Sequence, residues 1–505
     1  MRNESGRPAR TGWRLGALAR RARWLAALIP ALLIADAAHA ASLMNSFSPR
    51  VPTDIGPRGP TLNAVGPRLD PSLRTTPGSP GANNQGGSNA GTNTGGSTAG
   101  STRNGSRDTR TQTLTRRTND NGVPPPGELR YVPDEVVIEV NGNPSDQQLA
   151  ALFSRFHLTR LDTRRIGLIN TTFFLVRIND HTSVPAKIRA LNGNGLVHAA
   201  QPNYLFGLVQ ATANADANAA EAPDPSQYAI AKLHLDDAHR LALGHHVLVA
   251  VIDSGIDTTH PALAGVVEKS FDALNSSEGP HSHGTAIAGI IAGHGHLAGA
   301  APAVRILAAR AFSTTQGSTI SIIASLDWAV TEHAQVINMS FAGPSDPALE
   351  RALKAASEVH HVVLVAATGN AGPKSPPLWP AADPHVIGVT ATDYDDHLFA
   401  MANRGRQVAI AAPGVDILVA IPGNAYKMET GTSFSSAFVT GVAALLIQRN
   451  PKLSPQEVEK VLESTAHHLG PKAHDDLFGA GLMDAFQAVS AVAPSTDAAL
   501  QLPSR

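Results

Sequence analysis

A chain of 505 residues is too long for one ordinary hydrophobic core and divides into more than one folded unit. A formal net charge of −1 argues against nucleic-acid binding and against attraction to acidic membrane surfaces. The absence of cysteine excludes disulfides, thiolate zinc sites and a cysteine nucleophile, and is compatible with secretion of a protein whose core needs no cross-links.

Residues 1–40 read as a cleaved export signal. Arg2, Arg7, Arg10, Arg14, Arg20, Arg21 and Arg23 precede the apolar run WLAALIPALLIA, and Ala38-His39-Ala40 supplies a small-x-small cleavage site. The run is short for a spanning helix, so no stable membrane insertion is expected, and no later segment is apolar and long enough to span a bilayer. Export leads to the periplasm or outside the cell. The Arg20-Arg21 pair is a weak hint of a twin-arginine signal in a segment this rich in arginine.

Residues 41–130 are dominated by Gly, Ser, Asn and Thr, too polar to offset the entropy of ordering, and read as a disordered spacer. Order is expected from Tyr131. DEVVIEV predicts a strand, and Ser145 with Gln148 forms a capping box before the short helix LAALFSRF. RIGLIN and TTFFLVRI predict two strands, SVPAKIRALN a helix, and LVHAAQPNYLFGL a final strand. Strand, helix, strand, strand, helix, strand over 131–208 is the order of a small α+β domain of ferredoxin-like type. A polar linker, 209–226, follows.

From 227 to 492 apolar runs alternate with helical stretches. HVLVAVI, VRILAA, QVINMS, HVVLVAA, HVIGVTA and QVAIAA are nearly continuous in hydrophobic residues, as buried parallel strands require. STISIIASLDWAVTEH and PALERALKAASEV read as helices between them, and Ser454, Pro455 and Glu457 start a late one. The pattern predicts a doubly wound α/β domain with a mostly parallel sheet and helices on both faces, closed by a tail over 493–505. Chemistry in such a fold belongs at the carboxyl ends of the strands.

Three polar side chains stand at such positions. Asp253 ends HVLVAVI. His283 precedes Gly284 at the start of an apolar helix, and Ser433 follows Gly431-Thr432 at the start of another. A serine hydroxyl needs an imidazole to take its proton, and the imidazole needs a carboxylate to fix its tautomer and stabilise its charged form. A helix N-terminus below the serine favours negative charge at the attacked carbonyl.

VAVIDSGID, HGTAIAGIIAG and GTSFSSAFVTG, in the order Asp, His, Ser, resemble the subtilisin family of serine peptidases, and FGAGLMDAFQAV is similar to the family's last segment. The resemblance implies a secreted endopeptidase that works through an acyl-enzyme, with polypeptides as substrates and no cofactor. It also implies that Asn370, in VLVAATGNAG, is the side-chain donor of an oxyanion hole. The walls of the primary specificity pocket become Ser340, Phe341, Ala342 and Gly343 with Ala367, Thr368 and Gly369. The domain at 131–208 resembles the family's propeptide, which chaperones the enzyme and then inhibits it, so the chain is expected to process itself.

Departures from the pattern fall around the pocket. Ala342 stands where glycine is usual, Phe434-Ser435 where Met-Ala is usual, and Ala437 where proline is common. Ser435 and Ser436 read as packing residues, and His281 as a loop residue. His281, His294 and His296 lie outside the family pattern, and a zinc site there would need further ligands, so no metal site is assigned. Asp257 and Asp272 leave a structural calcium site open without fixing one. The alternative to an enzyme is a catalytically silent relative that binds peptides.

Overall fold

The computed structural model describes residues 122–209, 227–276, 278–314 and 316–494. The expected signal, most of the spacer, the linker beyond Val209 and the tail beyond Pro494 lie outside the described residues.

The small domain runs β1 (Tyr131–Val140), α1 (Asp146–Arg155), β2 (Leu158–Ile166), β3 (Thr171–Ile178), α2 (Val184–Asn192) and β4 (Val197–Leu208). Its strands lie antiparallel in the order β4-β1-β3-β2, the ferredoxin-like arrangement expected. The capping box forms: Ser145 Oγ accepts from the Gln148 N–H, and Gln148 Oε1 accepts from the Ser145 N–H at 2.8 Å. Alternation along β1 divides its side chains between two cores. Val136 and Ile138 pack on Leu149, Leu152, Phe153, Ile188 and Leu191 of the two helices. Val137 faces the other way and joins Phe173, Tyr204 and Phe206 in a core shared with the large domain.

Two expectations are corrected here. RIGLIN is not a strand of its own: its Ile166 ends β2, and Gly167–Ile169 form a 3-10 turn whose Leu168 N–H donates to Asp327 Oδ1 at 2.7 Å. The spacer also stops before Arg130. Pro124 is buried, the Arg130 carbonyl accepts from the Leu205 N–H at 2.9 Å, and a Cβ on Gly122 would lie 2.0 Å from the Ala200 oxygen.

The large domain begins with short helical segments at Tyr228–Lys232 and Leu235–Ala238, then β5 (Leu248–Asp253), β6 (Val267–Asp272), α3 (Ser282–Ala292), β7 (Arg305–Arg310), β8 (Gln316–Ser318) and α4 (Thr319–Thr331). It continues with β9 (Val336–Met339), β10 (Phe341–Ala342), α5 (Pro347–Glu358), β11 (Val363–Ala367), β12 (Ile387–Thr392) and β13 (Ile410–Pro413). After the β14 (Ile417–Ile421) and β15 (Ala425–Glu429) hairpin come α6 (Thr432–Arg449), α7 (Pro455–Ser464) and α8 (Ala485–Ala491). Seven strands form one parallel sheet in the order β13-β12-β11-β9-β5-β7-β6. Each of the six apolar runs is a strand of it, and β6 (VEKSFD) is the seventh, at an edge.

The near-continuous hydrophobicity of these strands has its reason in the two layers of helices. Val249 and Val251 of β5 pack towards Ile287, Ile290 and Ile291 of α3 and Val439 and Val442 of α6. Ala250 and Ile252 pack towards Ile322, Ile323 and Leu326 of α4 and Leu349 and Leu353 of α5. The short strands β8 and β10 stay out of the parallel sheet. They flank the end of β4 from the small domain, with Leu205 opposite Ser318, Gly207 opposite both Gln316 and Ala342, and Leu208 opposite Phe341.

Candidate active site

Asp253 ends β5, and His283 lies in the first turn of α3. Gly284 permits their approach, since a Cβ there would lie 2.7 Å from the Ser254 carbonyl oxygen. The sequence-predicted pair comes together: His283 Nδ1 is 2.8 Å from Asp253 Oδ1 and 2.9 Å from Oδ2. Both residues are buried, and the Asp253 carboxylate also accepts from the Ser254 N–H at 2.7 Å. A carboxylate held in this way fixes the proton on Nδ1 and leaves Nε2 as a base. His283 Nε2 has no hydrogen-bond partner.

Ser433 is the second residue of α6, also buried, on a helix turn packed among small residues. Its Oγ donates to the Val209 carbonyl oxygen at 2.5 Å and lies 3.3 Å from the Ser340 carbonyl oxygen. Val209 follows β4 directly and is held by its own N–H, which donates to the Ser340 carbonyl at 3.2 Å. The sequence placed Val209 in the linker; it is instead the residue against Ser433.

Asn370 follows β11. Its Oδ1 accepts from the Thr432 N–H at 3.1 Å and the Thr432 hydroxyl at 2.9 Å, which turns the amide so that Nδ2 is free. That Nδ2 is buried without a partner. A Cβ on Gly431 would lie 2.9 Å from it and 3.3 Å from the Val209 oxygen, so both atoms lie over Gly431. A buried amide group left unpaired is costly and marks a place where an acceptor is wanted.

Asn403 was not singled out in the sequence. Its Oδ1 accepts from the Ala371 N–H at 2.9 Å, and its Nδ2 donates to the Thr368 carbonyl at 2.9 Å, gripping the Thr368–Ala371 loop on both sides of Asn370. Gly369 lies at φ +110°, and a Cβ there would lie 2.5 Å from Asn403 Nδ2, so the loop needs glycine. The only signal for Asn403 is a turn-forming Asn-Arg-Gly. Ala342 and Gly343 lie on and after β10, beside β4, while Ser340 Oγ accepts from Asn338 Nδ2 at 2.8 Å below the site. Ser435 and Ser436 are engaged with the Ala412 and Ser433 carbonyls and do not face the Val209 oxygen through any hydrogen bond.

The acidic residues left open for calcium hold turns. Asp257 accepts from Thr259 and from the Gly423 N–H, and Asp272 accepts from the Leu274 and Ser276 N–H groups. Among the described residues no group of three His, Cys, Asp or Glu side chains could hold a metal ion.

Residues 244–481 match the Subtilase family, and residues 117–203 match the Fervidolysin N-terminal prodomain. A thermophilic serine proteinase of Bacillus sp. (strain AK1) is 35% identical over 352 residues, covering 66% of this chain and 82% of that protein. The chain belongs to the subtilase family. Subtilisin Savinase of Lederbergia lenta is 35% identical to this subtilase over 265 residues, covering 51% of it and 96% of the relative. The solved structure of fervidolysin from Fervidobacterium pennivorans, a keratinolytic enzyme related to subtilisin, superposes with a TM-score of 0.60 at 25% identity, covering 72% of the subtilase and 62% of that chain. The small domain is thus the prodomain of a serine endopeptidase.

Proposed function

We propose that this subtilase is made as an exported precursor, cuts the bond after its own prodomain, and then hydrolyses polypeptides through Asp253, His283 and Ser433. The observation that carries this reading is the Val209 carbonyl at 2.5 Å from Ser433 Oγ, beside the unpaired Asn370 amide. A peptide carbonyl is hydrogen-bonded to the serine hydroxyl, with a free donor close by over Gly431.

In the reaction, Ser433 Oγ turns its proton from the Val209 oxygen to His283 Nε2 and attacks the carbonyl carbon. Asp253 holds the His283 tautomer and stabilises the imidazolium that forms. The negative oxygen of the tetrahedral intermediate is met by Asn370 Nδ2 and the Ser433 N–H. His283 then gives its proton to the leaving amine, and water, activated by the same imidazole, frees the acyl group. The proposed sequence calls on side chains, backbone groups and water, and on no cofactor. By resemblance, Ser340, Phe341, Ala342 and Gly343 with Ala367, Thr368 and Gly369 wall the pocket for the residue before the cleaved bond, and Phe341 and Gly343 also pack against Phe206, three residues before Val209.

Export rests on the basic and apolar segment at the N-terminus. No helix among the described residues is long and apolar enough to cross a membrane.

Fluorophosphonate labelling of the matured protein, read by mass spectrometry, tests the proposal. The adduct is expected on Ser433. Folded, matured protein that takes no label would make this chain a peptide-binding relative without catalysis.

A further inference from the structure

The proposed reaction gives no task to the first histidine of His281-Ser282-His283, yet the chain builds a good deal around it. His281 is the N-cap of α3, in extended conformation (φ −123°, ψ 150°), and its Nδ1 accepts from the His283 N–H at 3.3 Å. Its backbone is fixed on both sides: its N–H donates to the Gly255 carbonyl at 2.8 Å, and its carbonyl accepts from Thr285 Oγ1 at 2.8 Å. The same Nδ1 is 3.2 Å from Ser254 Oγ, which lies 3.1 Å from Asp253 Oδ1 and accepts from the Gly284 N–H at 3.1 Å. The imidazole thus caps the backbone of the base and lies against Ser254, whose one hydroxyl proton goes either to His281 Nδ1 or to the carboxylate that orients His283.

We infer that His281 is a positioning residue for His283, and that it acts only as a neutral imidazole. This rests on the triad reading above. The usual N-caps, Ser, Thr, Asp and Asn, offer an oxygen that accepts across the neutral range. Imidazole accepts at Nδ1 only while that nitrogen carries no proton. Once protonated, His281 would point a donor at the donor it should cap, at the positive end of a helix dipole. It would also put a cation beside the imidazolium that His283 becomes in the reaction.

The surroundings keep it neutral. The charged groups facing it are His283 and Asp253, Arg310 at the end of β7 and Lys427 on β15, with Arg310 paired to Glu278 and Lys427 to Glu429. Burial lowers the pKa of His281 first, His283 lowers it further, Asp253 works against them, and Lys427 and Arg310 add to the lowering. While His281 is neutral, the two histidines of the run take different roles, one a proton carrier and one a fixed acceptor.

The test is the pH dependence of kcat and kcat/KM for the matured wild type, His281→Asn and His281→Ala, with Ser433→Ala alongside. Asparagine keeps an acceptor and cannot be protonated. His281→Ala should lower kcat about fivefold with KM nearly unchanged, the kinetic equivalent of one lost cap, and His281→Asn should restore most of it. Protonation of His281 should add a second, bounded drop of at least the size of the His281→Ala loss to the acid limb of log(kcat/KM) in the wild type, and His281→Asn should lack it. His281→Ala equal to wild type, His281→Asn as slow as His281→Ala, or identical acid limbs in wild type and His281→Asn would each overturn the inference. If His281→Ala does not fold, the two acid limbs decide alone. An active Ser433→Ala enzyme would instead remove the triad reading on which the inference stands.

Discussion

At the scale of single residues, the site combines a hydrogen-bonded dyad with a donor that has nothing to bind. Asn370 Nδ2 is buried and unpaired while Oδ1 is held twice by Thr432, an arrangement whose cost is recovered only when a negative oxygen arrives. Asn370→Ala should therefore lower kcat by about 10²–10³, a range measured for such donors in this same family, with KM and melting temperature little changed. Steady-state kinetics on the matured variant check this, and a variant with wild-type kcat would reduce Asn370 to a turn residue. Asp253, His283, Ser433 and Asn370 could be named from the sequence because each sits in a run of distinctive neighbours. Asn403 could not, because it acts through backbone groups of a loop distant in sequence, and a lone asparagine in a turn looks the same in any protein. His385 carries a different kind of prediction. Its hydrogen bond to Asp383 raises its pKa, burial opposes this, and Glu358 adds to the rise. A raised histidine contributes stability that is complete below its unfolded pKa of about 6.5 and is lost as pH climbs through the folded value. Relative to His385→Gln, the wild type should lose Tm between mildly acid and mildly alkaline pH. Calorimetry at both pH values reads the difference, and parallel Tm shifts in the two proteins would remove the ion pairs from the account.

At the scale of elements, hydrophobic pattern reported burial and nothing else. The six buried strands of the parallel sheet were visible as apolar runs. β6 (VEKSFD) and β2 (LTRLDTRRI) were invisible or misplaced, because both are edge strands carrying charges towards solvent, which is how natural sheets protect their edges. β8 and β10 are only three and two residues long, and they become strands by pairing with β4. That three-stranded junction fixes the prodomain's last residues in register, with Phe206 three residues before Val209. Phe206 is fully buried, edge-on to Phe341 at 6.0 Å between centroids, and a Cβ on Gly343 would lie 2.2 Å from its ring. Gly343→Ala should thus expel the ring. Overpacking of this kind costs about 1–3 kcal/mol, so the prodomain's inhibition should weaken by about 5- to 150-fold. Cleavage of peptides with an aromatic residue at the matching position should fall with it, while peptides with alanine there should be cut as before. Phe206→Ala in the same chain should relieve the clash. Inhibition constants for the two prodomain forms against the Gly343→Ala enzyme test this, and a Gly343→Ala enzyme inhibited normally by the Phe206 prodomain would mean that the ring has another place to go.

At the scale of the whole molecule, the prodomain is held as a clamp that fixes where the chain crosses the active site. Val137, Phe173, Tyr204 and Phe206 share a core with α4 and α5. Polar contacts ring it: Glu139 pairs with Arg351, Arg164 donates to the Ala273 carbonyl at 2.7 Å, and Gln201 Nε2 donates to Asp346 Oδ1 at 2.6 Å. Asp346 also accepts from the Ala348 and Leu349 N–H groups at the start of α5, so Gln201 docks on a helix cap already in place. A clamp with this many points leaves little freedom of register, and a one-residue slip along β4 would turn Phe206 away from its pocket. The first cut is therefore expected between Val209 and Gln210 and nowhere else between 205 and 226. Later trimming of the enzyme's new N-terminus would move that end, so the prodomain fragment is the better record. Its intact mass should end at Val209 in the wild type, and Ser433→Ala should remain uncut in a host lacking other proteases. Adding one glycine between Gly207 and Leu208 should slow this cut sharply, because neither register then satisfies both the Phe206 pocket and Ser433. A wild-type fragment ending at another residue, a Ser433→Ala chain cut at the same bond, or an insertion variant that matures at the normal rate would each show that the clamp does not choose the bond.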